Sequence, residues 1–227
     1  MRFPEISKHI SLFLGGHSVE ELIGEKFNKI KENTFTVAMN HSFARLEPHA
    51  LIWQDYNVTK DLVLWMRRKI NKKQKLPYLW TRKVALEPQR TRFIPDYENL
   101  KILNENVQIV PKDKKSGSYT SGLAINFLRK QYPDKKIFIF GLDMRGDGCW
   151  YDRYFEPIKK IKKPWDMNEY EIDPRNPCTS KPIKFVRKAR EDLNVWINDK
   201  MIFNCNKQSN FNGFDYKDME EIWHMKI

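Results

Sequence analysis

Small and polar residues gather at a few points in this chain, each next to a run of β-branched or aromatic residues. Gly15-Gly16-His17-Ser18 follows "ISLFL" (10–14), and Asn40-His41-Ser42 follows "TFTVAM" (34–39). Gln54-Asp55 closes "HALIWQD" (49–55). Asp143, with Arg145 and Asp147 beyond it, follows "KIFIFG" (136–141). Thr120-Ser121-Gly122 opens an apolar segment. Together these residue types fit the handling of a nucleotide. Glycines let backbone N–H groups approach a phosphate, and a helix start adds free N–H groups and a positive dipole end. An asparagine amide hydrogen-bonds a base or ribose. Aspartates at strand ends, here Asp55 and Asp143, suit Mg²⁺ on a pyrophosphate. His17 and His41 are candidate general bases, and Tyr151 and Tyr154 are candidate donors to a leaving phosphate.

Each feature also has a plainer reading as a turn, a helix cap, a solvated acid or lid packing. For Thr120-Ser121-Gly122 alone, the cap is the stronger reading. The GxGxxG fingerprint is absent, so NAD is not expected, and the absence of GxxxxGK[ST] excludes a P-loop enzyme. No Ser–His–Asp or Cys–His constellation is legible.

Parallel strands would bring these points onto one rim. Apolar residues at 19, 22, 23, 27 and 30 predict a helix after the first strand, with Ser18 as N-cap and Glu21 as its capping-box partner. "VTKDLVLWMRRKI" (58–70) is amphipathic, "VQIV" (107–110) is strand-like, and Thr120 or Ser121 caps a helix running to about Tyr132. A long helix over 180–199, a strand over 201–205 and a short helix over 214–225 close the chain. Residues 76–106 carry no clear pattern. Strands alternating with helices predict an α/β, Rossmann-like open sheet, mostly parallel, with helices on both faces. Ligands bind such sheets at the strand carboxyl ends. The expected core is 1–143 with 179–227. The aromatic, proline-punctuated segment 144–178 is too long for an ordinary connection and reads as an inserted lid.

The 227 residues are 41% hydrophobic, which suits one globular domain. No apolar run is long enough to span a bilayer. The N-terminus makes a poor signal peptide. Three widely spaced cysteines, Cys149, Cys178 and Cys205, fit a reducing compartment, and a cytoplasmic location is expected. The net charge of +12 fits either a lysine-rich soluble surface or a polyanionic partner. Basic residues cluster at Arg67-Arg68-Lys69 with Lys72-Lys73, at Arg90 and Arg92, at 112–115 and at 159–163. Trp65, Tyr78 and Trp80 are among the aromatics near them.

The order of the motifs resembles a known pattern. Gly16-His17-Ser18 after the first strand, Asn40 in "VAMNHSF", Thr120 to Gly122 at a helix start and "IFIFGLDM" are arranged as in bacterial sialyltransferases that use a cytidine-nucleotide sugar. The pattern is also similar to a domain family that includes archaeal 6-hydroxymethylpterin diphosphokinases. The likeness covers about residues 10–55 and 116–215. It implies nucleotide contacts at Gly15, Gly16, Ser18, Asn40, Thr120, Ser121 and Gly122; Gln54 is a further nucleotide-binding candidate from its place at a strand end. It also implies leaving-group assistance from Tyr151 and Tyr154. The sialyltransferases carry a lid histidine as base, but this chain has no histidine between His49 and His224. Either another group, such as Asp147, Asp152 or His17, takes the proton, or the donor chemistry differs; Asp143 is a further catalytic candidate. The first loop also has Gly15 where those enzymes carry asparagine. The diphosphokinase pattern implies Mg²⁺ at Asp55 and Asp143.

Three functions remain open. The first is a nucleotide-sugar-dependent glycosyltransferase acting on a polyanionic acceptor, such as a modified DNA base or an anionic glycan. The second is an ATP/Mg²⁺-dependent pyrophosphokinase or other phosphotransferase. The third is a non-catalytic nucleic-acid-binding protein.

Overall fold

Two runs, Ile10–Phe13 (β1, ISLF) and Ile137–Phe140 (β6, IFIF), are buried along their whole length. Uninterrupted burial of this kind belongs to strands covered on both faces. The computed structural model describes residues 3–86, 97–111, 113, 117, 119–144 and 181–223. Among these, β1 and β6 lie at the centre of an eight-stranded parallel sheet ordered β5-β4-β3-β2-β1-β6-β7-β8. The other strands are Phe35–Met39 (β2), Ala50–Trp53 (β3), Tyr78–Thr81 (β4), Val107–Ile109 (β5), Ile202–Asn204 (β7) and Asp215–Tyr216 (β8). The expected α/β architecture is therefore present, and every pairing among the described residues is parallel.

Helices cover both faces. Leu12, Val37, Ile52 and Ile139 pack against Leu123 and Ile125 of Thr120–Gln131 (α4) and Leu193 of Lys181–Asn194 (α5). Phe13, Ala38, Leu51 and Phe138 point the other way. They meet Phe27 and Ile30 of Glu25–Asn33 (α1), Leu62 and Met66 of Tyr56–Asn71 (α2), Leu103 of Tyr97–Asn106 (α3) and Ile222 of Met219–Trp223 (α6). The alternation follows from the two-residue period of a strand. From β1 the chain winds outward through β2, β3, β4 and β5. Then α4 carries it back to β6 on the other side of β1. This change of direction makes β1/β6 the switch point, where doubly wound sheets open a crevice at the strand carboxyl ends.

Several local expectations need correction. Ser18 does not cap a helix with Glu21: His17–Leu22 is a 3-10 turn, Gly24 (φ 98°) breaks the path, and α1 begins at Glu25. The unassigned region contains β4 and α3. The helix expected to run to residue 199 ends at Asn194, and the terminal segment supplies β8 before its short helix. The expected lid lies outside the described residues, apart from Met144. No helix among the described residues is long and apolar enough to cross a membrane.

Candidate functional site

The crevice at β1/β6 is organised by one carboxylate. Asp143, only 3% exposed just past β6, accepts hydrogen bonds from the Ser18 amide (2.8 Å) and the Ser18 hydroxyl (2.5 Å). Asn206, just past β7, donates its side-chain amide to the same carboxylate at 2.7 Å. Asp143 thus ties the loop after β1 to the segments after β6 and β7. Backbone bonds complete the junction: Leu14 N–H to Phe140 O at 2.8 Å, and Gly16 N–H to Gly141 O at 3.0 Å. The approach is too close for a side chain at position 16. A Cβ there would lie 2.4 Å from Gly141 O and 2.5 Å from Asp143 Cγ. The glycine of the first loop is therefore a packing requirement. A cavity of about 220 Å³ opens beside this bridge, lined by Ser18, Glu21, Lys26, Asn206 and Tyr216 among others. Cys205 also lines it, and burial pushes its thiol pKa up, which removes it as a nucleophile.

The neighbouring strand ends place the other candidates. Asn40, half-buried past β2, holds a left-handed φ of 49°, a conformation asparagine tolerates better than most residues. Gln54 past β3 accepts a hydrogen bond from Arg82 Nη1 at 3.4 Å. His17 is partly exposed in the first loop, its Nδ1 3.1 Å from Glu20 Oε1. His41 turns its Nε2 to Asp61 of α2 at 2.9 Å. Asp55 has an exposed residue surface, yet the surrounding strand ends desolvate its carboxyl enough to raise its pKa, an effect nearby His41 opposes.

The helix start is built differently from the expectation. The N-cap of α4 is Tyr119, which supplies no side-chain acceptor; Thr120, Ser121 and Gly122 form the buried first turn. The Tyr119 amide is held by Asp192 of α5 (3.0 Å), itself 8% exposed. Asp192 fits so closely that a Cβ on Gly117 would come within 2.4 Å of its carboxyl carbon. The helix keeps its positive end at the carboxyl rim, with a buried carboxylate beside it. Asp192 and Asn206 went unnoticed in the sequence. The polar run after "MIFNC" marks Asn206 as another strand-end residue, whereas nothing in the helical pattern marks Asp192.

The proposed metal pair does not assemble. Strands β2 and β1 lie between β3 and β6, which puts the ends bearing Asp55 and Asp143 about 14 Å apart at ~4.8 Å per strand. One Mg²⁺ with bonds of about 2.1 Å does not bridge that gap. Among the described residues no three His, Cys, Asp or Glu side chains converge. Asp147, Asp152, Tyr151 and Tyr154 lie outside the described residues.

An open parallel sheet with a glycine loop, an asparagine and a helix start along its carboxyl rim is a doubly wound α/β architecture, in which ligands bind at that rim. Among solved structures, the chain is similar to the sialyltransferase CstII from Campylobacter jejuni, determined with the substrate analogue CMP-3FNeuAc. The sequence identity is 11% and the TM-score 0.53, over 93% of this chain and 87% of that one. At this identity the likeness establishes the fold. No family model matches the chain, and no curated protein matches it.

Proposed function

We propose that the protein is a nucleotide-sugar-dependent glycosyltransferase whose donor lies across the carboxyl ends of β6, β1 and β2. The observation that carries this reading is the Asp143 bridge. It fixes the Gly16–Ser18 loop at the switch point, in a fold similar along nearly its whole length to an enzyme solved with a CMP-sugar analogue. In this reading Gly15, Gly16 and Ser18 present the loop to the donor, and Asn40 and Gln54 meet its base or ribose. The first turn of α4 at Thr120, Ser121 and Gly122 faces its phosphate. Asp143 acts as a positioning residue.

In the reaction, a base takes the proton of an acceptor hydroxyl. The acceptor oxygen forms a bond to the anomeric carbon while the bond from that carbon to the phosphate oxygen breaks. The nucleotide leaves with the electron pair. Its developing charge meets the free amides at the start of α4 and hydrogen bonds from Tyr151 and Tyr154. Within the described residues His17, in the loop itself, is the candidate base; Asp147 is the candidate from the segment beyond Met144. The acceptor class that suits a chain of net charge +12 is anionic, such as a modified DNA base or an acidic glycan.

Thermal stabilisation by a panel of nucleotide sugars in EDTA tests this. The expected result is stabilisation by at least one, cytidine-linked sugars first, and its loss in Gly16→Ala. Stabilisation by ATP with Mg²⁺ and by none of the sugars overturns the reading.

A further inference from the structure

A second concave surface lies on the opposite rim of the sheet, at the amino-terminal ends of β3 and β4. It is a groove of about 490 Å³, larger than the cavity beside Asp143, and it takes no part in the chemistry above. Its floor is aromatic. His49 and Tyr78 line it, and behind them the buried Phe35 ring stacks on His49 at 5.1 Å and lies 6.3 Å from Tyr78. Tyr78 opens β4 and is 46% exposed, so its ring is accessible from the groove. Trp65 on α2 forms part of the wall, with Lys69 Nζ 5.2 Å above its ring.

The walls are basic. Lys31, Lys69 and Lys75 line the groove against a single carboxylate, Glu47, which Lys69 meets at 2.5 Å. Lys8 stands close enough to act on His49 together with Lys31 and Lys75. Exposed Arg68, Lys72 and Lys73 continue the charge from the end of α2 along the segment that forms one side of the groove. One carboxylate cannot balance this set, so the surface attracts anions spaced along a chain.

We infer that this groove binds single-stranded nucleic acid, with a base stacked on Tyr78 and phosphates held by Lys31 and Lys75, which line the groove, and by Lys72 and Lys73 on the chain leading into it. Aromatic platforms bordered by lysines are the physical requirement for sequence-tolerant single-strand binding. A duplex keeps its base faces stacked internally and offers none to Tyr78. An anionic glycan also satisfies the lysines and can lay a pyranose face on Tyr78, so it is the competing occupant that the test below separates. The inference stands apart from the donor chemistry, because the groove and the β1/β6 crevice lie at opposite ends of the strands.

Fluorescence anisotropy with a labelled oligothymidylate of about 12 nucleotides tests it. The full-length protein binds it at low salt. Lys72→Glu with Lys75→Glu weakens binding at least tenfold and lowers the salt slope by about 1.4, the loss of two single-strand phosphate contacts. Tyr78→Ala weakens it by roughly tenfold, while Tyr78→Phe, which keeps the stacking face, changes it less than twofold. A charge-matched control on a distant surface, Lys188→Glu with Lys200→Glu, has a clearly smaller effect than the groove pair. Four results overturn the inference: no oligonucleotide binding, equal weakening by both charge-reversed pairs, displacement of the oligonucleotide by nucleotide sugar, or binding of a polysialic acid chain in its place.

Discussion

Replacing Asp143 by asparagine separates a positioning role from a catalytic one. Three donors converge on the carboxylate: the Ser18 amide at 2.8 Å, the Ser18 hydroxyl at 2.5 Å and the Asn206 side-chain amide at 2.7 Å. Asparagine offers one oxygen and one NH₂ group. With its oxygen kept toward the Ser18 hydroxyl and Asn206, its NH₂ faces the Ser18 N–H, donor against donor. One charge-assisted hydrogen bond is lost and one buried amide is left unpaired, which together cost about 3 kcal/mol. For a chain of 227 residues, that lowers Tm by about 6–12 °C. Ser18→Ala keeps the backbone bond and loses the hydroxyl's bond to the carboxylate, for about 1.5–3 kcal/mol. The assay is thermal and urea unfolding of the three proteins, followed by nucleotide affinity at a temperature where all are folded. The first loop loosens in Asp143→Asn, so affinity falls together with stability. A change in stability below about 0.5 kcal/mol refutes the reasoning. So does a variant of unchanged stability and affinity that has lost all turnover, because that pattern belongs to a base.

Three further outcomes follow from the same geometry. Asp192→Asn keeps an acceptor for the Tyr119 amide and removes a negative charge beside the α4 start; nucleotide affinity measured by calorimetry tightens by roughly tenfold, about 1.4 kcal/mol. Burial, together with the nearby Lys31, Lys8 and Lys75, lowers the His49 pKa from 6.5 to about 4, and its Nδ1 accepts the Thr36 amide at 3.0 Å. The unfolded chain therefore takes up the proton first, and stability present above pH 6.5 is lost as pH falls towards about 4; His49→Asn flattens this segment of the stability curve measured by urea unfolding. Desolvation raises the Asp55 pKa above 3.8, so the folded state favours the protonated form and its contribution disappears as pH rises. Asp55→Asn accordingly raises Tm at neutral pH and leaves it unchanged well below the carboxylate range.

Much of the architecture was legible because burial on both faces writes itself as largely apolar runs, such as "ISLF" and "IFIF". The four residues of β4, "YLWT", sit behind a lysine-rich turn and Pro77 and give no alternation to read. Two-residue β8 carries no pattern at all. Local grammar also misled at Ser18: Ser-x-x-Glu reads as a capping box, but the serine bonds a carboxylate 125 residues away. Tertiary hydrogen bonding won over the local cap. The strand-end rule puts these residues on one rim but gives no strand order, so it does not show that two strands divide Asp55 from Asp143. Asp192 needed the packing of α5 on α4 before it could be seen.

Hydrogen exchange on the backbone amides shows where the donor sits. On adding a nucleotide sugar that stabilises the protein, exchange slows at Gly16–Ser18 and at Ser121–Leu123, with no change around Tyr78 in the opposite groove. Unchanged exchange at both rim segments, with protection elsewhere in the chain, would contradict this placement of the donor.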